Sequence, residues 1–322
     1  MWYENPIPSD TFRIIKPILE RCAQWTTVVI LGLDVLEANR QFGSIRGNLP
    51  SLSSLKFYFR GRTESIRSRR TRVILQSHEH GIHQFDLFQD CPALTRVLIS
   101  DKGDRLKNSS IVLPWNQITT YGAYKTPDNP FPSELERQPN LQKLTVGLDM
   151  FPEIPTRQVS HQNLCELFLY STQNVQGGLP QLSNLVLPSL ELLVVTFVIM
   201  ELHEKASIIP SIISLIQNSK CSLKKLAIQQ KSDLYIDRLP TLFDLIPTLE
   251  TLDIGDGAYF RDTLELLRYD PDKMTLLPNL RRLAVAYTSD VEPKDMKLIR
   301  ELVESREHAV TDPSHAGRLN RA

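Results

Sequence analysis

The chain has 322 residues, 41% hydrophobic and 23% charged, a balance that suits a globular protein and excludes wholesale disorder. Thirty-seven basic residues offset thirty-seven acidic ones, so net charge gives no reason to expect nucleic acid or a membrane as the general partner. No apolar run approaches the ~20 residues that span a bilayer, and Met1–Asp10 lacks the basic-then-apolar pattern of a secretory leader; an intracellular protein, cytoplasmic or nuclear, is expected.

Ile14 to Trp25 places Ile15, Ile18, Leu19, Cys22 and Trp25 at helical spacing, with Pro17 suited to a first turn. Trp25-Thr-Thr-Val28-Val-Ile30 then suits an opening strand. From residue 52 a pattern returns: Leu, two residues, an apolar residue, one residue, an apolar residue. It occurs as Leu52/Leu55/Phe57, Leu94/Val97/Ile99, Leu141/Leu144/Val146, Leu164/Leu167/Leu169, Leu190/Leu193/Val195, Leu223/Leu226/Ile228, Leu249/Leu252/Ile254 and Leu280/Leu283/Val285. A ninth copy, Leu113-Pro-Trp-Asn-Gln-Ile118-Thr-Thr-Tyr121, keeps the spacing with Tyr121 in the second apolar slot. Such a unit cannot bury its apolar side alone, but stacked neighbours can. The expected fold is therefore α/β: a leucine-rich-repeat solenoid with a curved parallel sheet on the concave side and helices on the convex side.

Pro50, Pro92, Pro139, Pro188, Pro247 and Pro278 each stand two residues before a repeat leucine, where the preceding helix must stop and the chain turn into a strand. The apolar stretches Phe85–Phe88, Ile212–Ile216, Leu239–Ile246 and Thr263–Leu267 supply the helices, with Ser211 as an N-cap. The asparagine ladder of many leucine-rich repeats is not evident, so the turns must be satisfied differently. Pro293 to Glu307 suits a terminal helix presenting Met296, Ile299 and Val303 on the side that covers the last repeat. The domains expected are an N-terminal helix and capping unit (1–48), the solenoid (49–290), a capping helix (291–310) and a disordered tail (311–322).

Catalytic signatures are lacking: there is no G-x-S-x-G, H-E-x-x-H, phosphate loop or G-x-G-x-x-G. Asp253 and Asp256 suit turn positions better than an acid/base pair. Cys22, Cys91, Cys165 and Cys221 are scattered singly and suit reduced core thiols. His78, His80 and His83 have no nearby cysteine, and Arg60–Arg72 is basic without interleaved aromatics; both segments suit solvated loops better than a metal or nucleic-acid site. No enzyme activity, metal or cofactor is expected.

If the repeat leucines point inward, the residues flanking the second apolar position face the concave side. One column is then Ser54, Arg96, Thr120, Lys143, Glu166, Leu192, Lys225, Thr251 and Arg282. The next is Lys56, Leu98, Gly122, Thr145, Phe168, Val194, Ala227, Asp253 and Ala284. Phe168, Leu192 and Val194, with Tyr170 beside them, are apolar where solvent is expected. An apolar centre with Arg96, Leu98, Lys143, Glu166 and Lys225 around it is the layout of a protein-binding patch. A loop or the tail lying over these strands would instead make them core on both faces.

Several phrases resemble the F-box/leucine-rich-repeat proteins numerous in mushroom-forming fungi. They are Ile18-Leu-Glu-Arg-Cys-Ala-Gln-Trp25, Ile45-Arg-Gly-Asn-Leu-Pro-Ser-Leu52-Ser-Ser-Leu55, Leu113-Pro-Trp-Asn-Gln-Ile118-Thr and the Pro-x-Leu-x-x-Leu starts that continue to Leu283. The resemblance spans residues 14 to 305. It implies a substrate receptor of cullin–RING ubiquitin ligases, in which an F-box binds an adaptor and the repeats hold the substrate. An F-box, with its Leu-Pro-x-Glu-Ile type of start, is not evident in this chain, so adaptor binding is expected only if one lies upstream. Without one, a free-standing scaffold or inhibitor is the alternative.

Overall fold

A computed structural model describes residues 17–31, 35–59, 85–101, 111–124, 135–147, 157–171, 180–197, 208–230, 238–255, 260–268, 276–286 and 293–311. The chain divides into two compact units, Met1–Met150 and Phe151–Ala322. Each is mixed α/β and built on parallel strands.

In the first unit the described strands are β1 (Thr27–Leu31), β2 (Ser54–Phe59), β3 (Arg96–Asp101), β4 (Thr120–Tyr124) and β5 (Lys143–Gly147), with helix α1 (Val35–Phe42) after β1. Each strand pairs in parallel with the next, in the register Thr27, Ser54, Arg96, Thr120, Lys143. The second unit has a short pair, β6 (Val159–Ser160) with β8 (Leu185–Val186), and a longer series: β7 (Glu166–Ser171), β9 (Leu192–Phe197), β10 (Lys225–Gln230), β11 (Thr251–Gly255) and β12 (Arg282–Ala286). That series is also parallel and runs in the register Glu166, Leu192, Lys225, Thr251, Arg282. Its helices are α2 (Ile209–Ser219), α3 (Leu239–Leu245), α4 (Phe260–Leu267) and α5 (Pro293–Thr311).

From β2 onward, each strand of the two series starts two residues after the first apolar residue of its repeat, so the pattern sets the register. The repeat side chains Leu52, Leu55, Phe57, Leu94, Val97, Leu144, Leu167, Leu169, Leu193, Leu226 and Leu252 are all buried. Alternation along each strand leaves the intervening residues on the other face.

Proline and backbone geometry make the strand starts alike. In six repeats the repeat-leucine N–H donates to the carbonyl three residues back, closing a turn with proline in its second position: Leu52 to Leu49 (3.3 Å), Leu94 to Cys91 (3.1 Å), Leu141 to Gln138 (3.1 Å), Leu190 to Leu187 (3.1 Å), Leu249 to Ile246 (3.0 Å) and Leu280 to Leu277 (3.1 Å). Proline suits that position because its fixed φ matches the turn and its missing N–H is not needed. The next residue's carbonyl then accepts two N–H groups from the neighbouring strand start. Thr95 accepts from Thr119 (2.9 Å) and Thr120 (3.1 Å), and Glu191 from Lys224 (2.8 Å) and Lys225 (2.9 Å). In the first unit, hydroxyls reinforce this ladder, with Ser53 Oγ donating to the Thr26 carbonyl at 3.1 Å and Thr119 Oγ1 to Thr95 at 3.4 Å. Asparagine takes part at two turns: Asn140 Nδ2 donates to Asn116 O at 2.6 Å and Asn279 Nδ2 to Pro247 O at 3.0 Å.

Several elements differ from the expectation. Residues 17–19 form one helical turn and Cys22–Gln24 a short 3-10 helix, in place of one helix to Trp25. Phe85–Phe88 makes turns, with Phe85 bridging to Ile111 and its ring meeting Phe57 edge-on at 5.0 Å. Ser211 lies inside α2 and is buried; the cap residue is Ile208, which gives no side-chain bond, and Pro210 fills the first turn. On α5, Met296 and Val303 are 53% and 51% exposed while Leu302 is buried, because the helix packs on α4 through a different face. Arg306 of α5 donates from Nε to Leu267 O (3.0 Å), from Nη1 to Leu277 O (3.0 Å) and from Nη2 to Leu267 O (3.0 Å) and Leu276 O (2.8 Å). Burial lowers its guanidinium pKa. The tail from residue 312, the Arg60–Arg72 segment, the three histidines and Asp256 lie outside the described residues. Among the described residues no helix is long and apolar enough to cross a membrane.

Candidate functional site

The open face of each strand series carries the side chains that alternate with the buried leucines. The two columns expected from the sequence are present as register rows within each unit. Arg96, Leu98 and Lys143 belong to the first unit, and Glu166, Phe168, Tyr170, Leu192, Val194 and Lys225 to the second.

In the first unit, Arg96 is exposed on β3 and Lys143 half-buried on β5, with β4 between them. Leu98 is half-buried. Its Cδ1 occupies the space where a Cβ on Gly122 would stand, so the missing side chain on β4 lets Leu98 lie across its neighbour. On β1, Val29 and Leu31 are 50% and 67% exposed.

In the second unit the structure brings the apolar residues together. Phe168 on β7 is the register partner of Val194 on β9, and Glu166 that of Leu192. Leu192 in turn stands beside Lys225 on β10, and Val194 beside Ala227. Phe168, Tyr170, Leu192 and Val194 are all half-buried, while Lys225 is exposed. No described helix is inserted between these strands in the sheet, and their backbone groups pair with one another, so the face is formed by side chains alone.

A polar row borders the patch. Thr196 Oγ1 donates to Gln229 Oε1 at 3.3 Å, and Gln229 Nε2 donates to Asp253 Oδ2 at 3.4 Å, linking β9, β10 and β11. Asp253 is thus a strand residue on the open face, as its place in the second column implies, and not a turn residue. Tyr170, expected beside the patch, heads a third register row whose other members, Thr196 and Gln229, the two expected columns leave out; carrying the same alternation two residues further finds them. At the strand starts, Lys224 Nζ meets Glu191 Oε1 at 2.7 Å, and this hydrogen-bonded carboxylate raises the Lys224 pKa.

Chemically the face offers contact and hydrogen bonding. Among the described residues no group of three His, Cys, Asp or Glu side chains is placed to hold a metal ion. All four cysteines are free, and Cys22, Cys91 and Cys221 are buried. Cys165 departs from the core-thiol expectation: it is half-buried just before β7. Burial, with Asp90 adding, pushes the Cys91 thiol up to about 11; burial also raises Cys165 and Cys221. A raised pKa keeps these thiols protonated and poor as nucleophiles. An open groove of about 800 Å³ in the first unit passes Val112, Pro114, Trp115 and Arg137; Gln117 on its wall is already engaged with the carbonyls of Cys91 (2.6 Å) and Leu94 (3.0 Å).

No family model matches the chain, and no curated protein matches it. The fold and the face together define a mixed α/β protein whose parallel strands present an open row of side chains.

Proposed function

We propose that this chain is a non-catalytic protein-binding module, a leucine-rich-repeat solenoid whose concave face holds a protein partner. The observation that carries this is the cluster Phe168, Val194 and Leu192. Phe168 and Val194 are register partners on adjacent strands and Leu192 shares the face with Val194 on β9; all three are part-exposed on the face opposite the buried leucines and bordered by Lys225, Gln229 and Asp253. Apolar centres with polar rims are characteristic of protein-binding patches. The repeated turn and carbonyl ladder support the repeat assignment, since each strand start leans only on its neighbour.

The finer proposal is that the module is the substrate-holding part of an F-box-type cullin–RING ligase receptor. It rests on the resemblance of the repeat phrases. Co-purification of the tagged natural protein with a ligase adaptor tests it. Adaptor bound in stoichiometric amount supports the receptor. Partner capture without adaptor favours a free-standing scaffold or inhibitor.

A further inference from the structure

We infer that the open face of the second unit takes an extended, acidic peptide segment anchored by one bulky apolar side chain. The assignment rests on the reading that this face is the binding face. It adds the chemistry of the partner.

Size sets the first limit. The apolar patch is two strands wide and about three residues tall. At ~4.8 Å between strands and ~3.3 Å per residue, that is on the order of 100 Å². A stable interface between folded proteins buries about 800 Å² on each partner, so this patch alone cannot hold a second copy of the chain. It matches one or two side chains of a partner. The row Phe168, Val194, Ala227 runs from the largest side chain to the smallest, which leaves room beside Val194 for an incoming anchor.

Charge sets the second. Lys225 and Arg282 stand in the same register row, with Thr251 on β11 between them. Both are exposed, and neither forms an ion pair among the described residues. Asp253, in the next row on β11, accepts a hydrogen bond from Gln229 and forms no ion pair with either cation. Two available cations beside an apolar floor complement carboxylates that follow an apolar residue. Glu166 and Asp253 on the same face disfavour a continuous polyanion such as a nucleic-acid backbone.

Spacing sets the third. The patch centre, between β7 and β9, lies about 7 Å from β10, and β12, two strands further, lies about 10 Å beyond, at ~4.8 Å per strand. A peptide crossing the strands in extended form advances ~3.3 Å per residue. Carboxylates about two and about five residues from the anchor would therefore reach Lys225 and Arg282.

The test is selection of a randomised 12-residue phage-displayed peptide library on the full chain, followed by titration of the enriched peptides. The expected result is a bulky apolar residue with Asp or Glu enriched about two and five residues away. Affinity should fall at least ten-fold in Lys225→Glu/Arg282→Glu, and that variant should select basic peptides instead. Both positions are exposed, so the variant retains the fold; thermal melting checks this. Peptides without acidic bias that lose binding to Phe168→Ser/Leu192→Ser would overturn the acidic partner and leave the face as the binding site. Peptides indifferent to both variants would overturn the face as well. Enrichment of no peptide would overturn a linear partner, while capture of folded proteins tests the face separately.

Discussion

Leu167 and Phe168 are chain neighbours on opposite faces of β7: Leu167 is fully buried and Phe168 is half-buried on the open face. Their substitutions should therefore separate. Leu167→Ala leaves a cavity among repeat leucines and should cost about 2–5 kcal/mol. Phe168→Glu should cost less than about 1 kcal/mol, as open-face changes do, and should weaken partner binding. Chemical denaturation and a binding assay on both variants check the pair. A large stability loss for Phe168→Glu would make that residue core.

Arg306 ties α5 to the end of α4. Its guanidinium meets the carbonyl of Leu267, the last residue of that helix, and those of Leu276 and Leu277. A cation at a helix C-terminus also answers the helix dipole. Leu277 has φ of 52°, a conformation costly for leucine, and the bond to its carbonyl helps to hold it. Arg306→Met, which keeps the stem, should destabilise by roughly 1–3 kcal/mol. Hydrogen exchange should quicken in α5 first.

Two glycines on the open faces should respond differently to alanine. At Gly255 a Cβ would lie 3.1 Å from the Cα of Gln229, so the backbone of the neighbouring strand must give by a few tenths of an ångström. At Gly122 it meets the tip of Leu98, which can rotate away. Gly255→Ala should therefore lower the melting temperature more than Gly122→Ala, by several degrees against one or two. Thermal melts of the two variants check this.

The Cys91 thiol gives a pH prediction. Its folded pKa of about 11 lies above the ordinary value of 9.0, so the unfolded chain loses this proton first as pH rises. The stabilising contribution is complete below pH 9 and is lost between pH 9 and 11. Melting temperature should fall across that window, and Cys91→Ala should flatten the fall. Near pH 8, a thiol reagent should modify half-buried Cys165 before Cys91 or Cys221.

The strands were legible because Leu52, Leu94, Ile118, Leu141, Leu164, Leu190, Leu223, Leu249 and Leu280 each place a strand two residues on, and period-two alternation then separates the faces, with Ser54 and Ser100 buried on the open side and Leu283 only half-buried on the other. The prolines marked the turns, although their closing bond to the repeat-leucine N–H is a three-residue relationship that spacing alone does not reveal. Phe85–Phe88 misled because four residues cannot distinguish a helix from turns, and the Phe57 and Ile111 contacts that fix it are distant in sequence. On α5, apolar residues fall on more than one face, and the inward one is completed by a cation, Arg306, whose partners are backbone carbonyls that no side-chain pattern announces. Asp253 carried two expectations, a turn from aspartate's preference and an open-face strand position from the alternation; the alternation holds, and Gln229 donates to it within the sheet.

The most direct measurement is quantitative affinity purification with the natural protein, comparing wild type, Phe168→Glu/Leu192→Glu on the open face, and Met296→Glu/Val303→Glu on exposed α5 positions. The account predicts that the specific partners fall at least ten-fold with the open-face variant and persist with the α5 variant. Partners that survive the open-face change, or that vanish only with the α5 change, would contradict it.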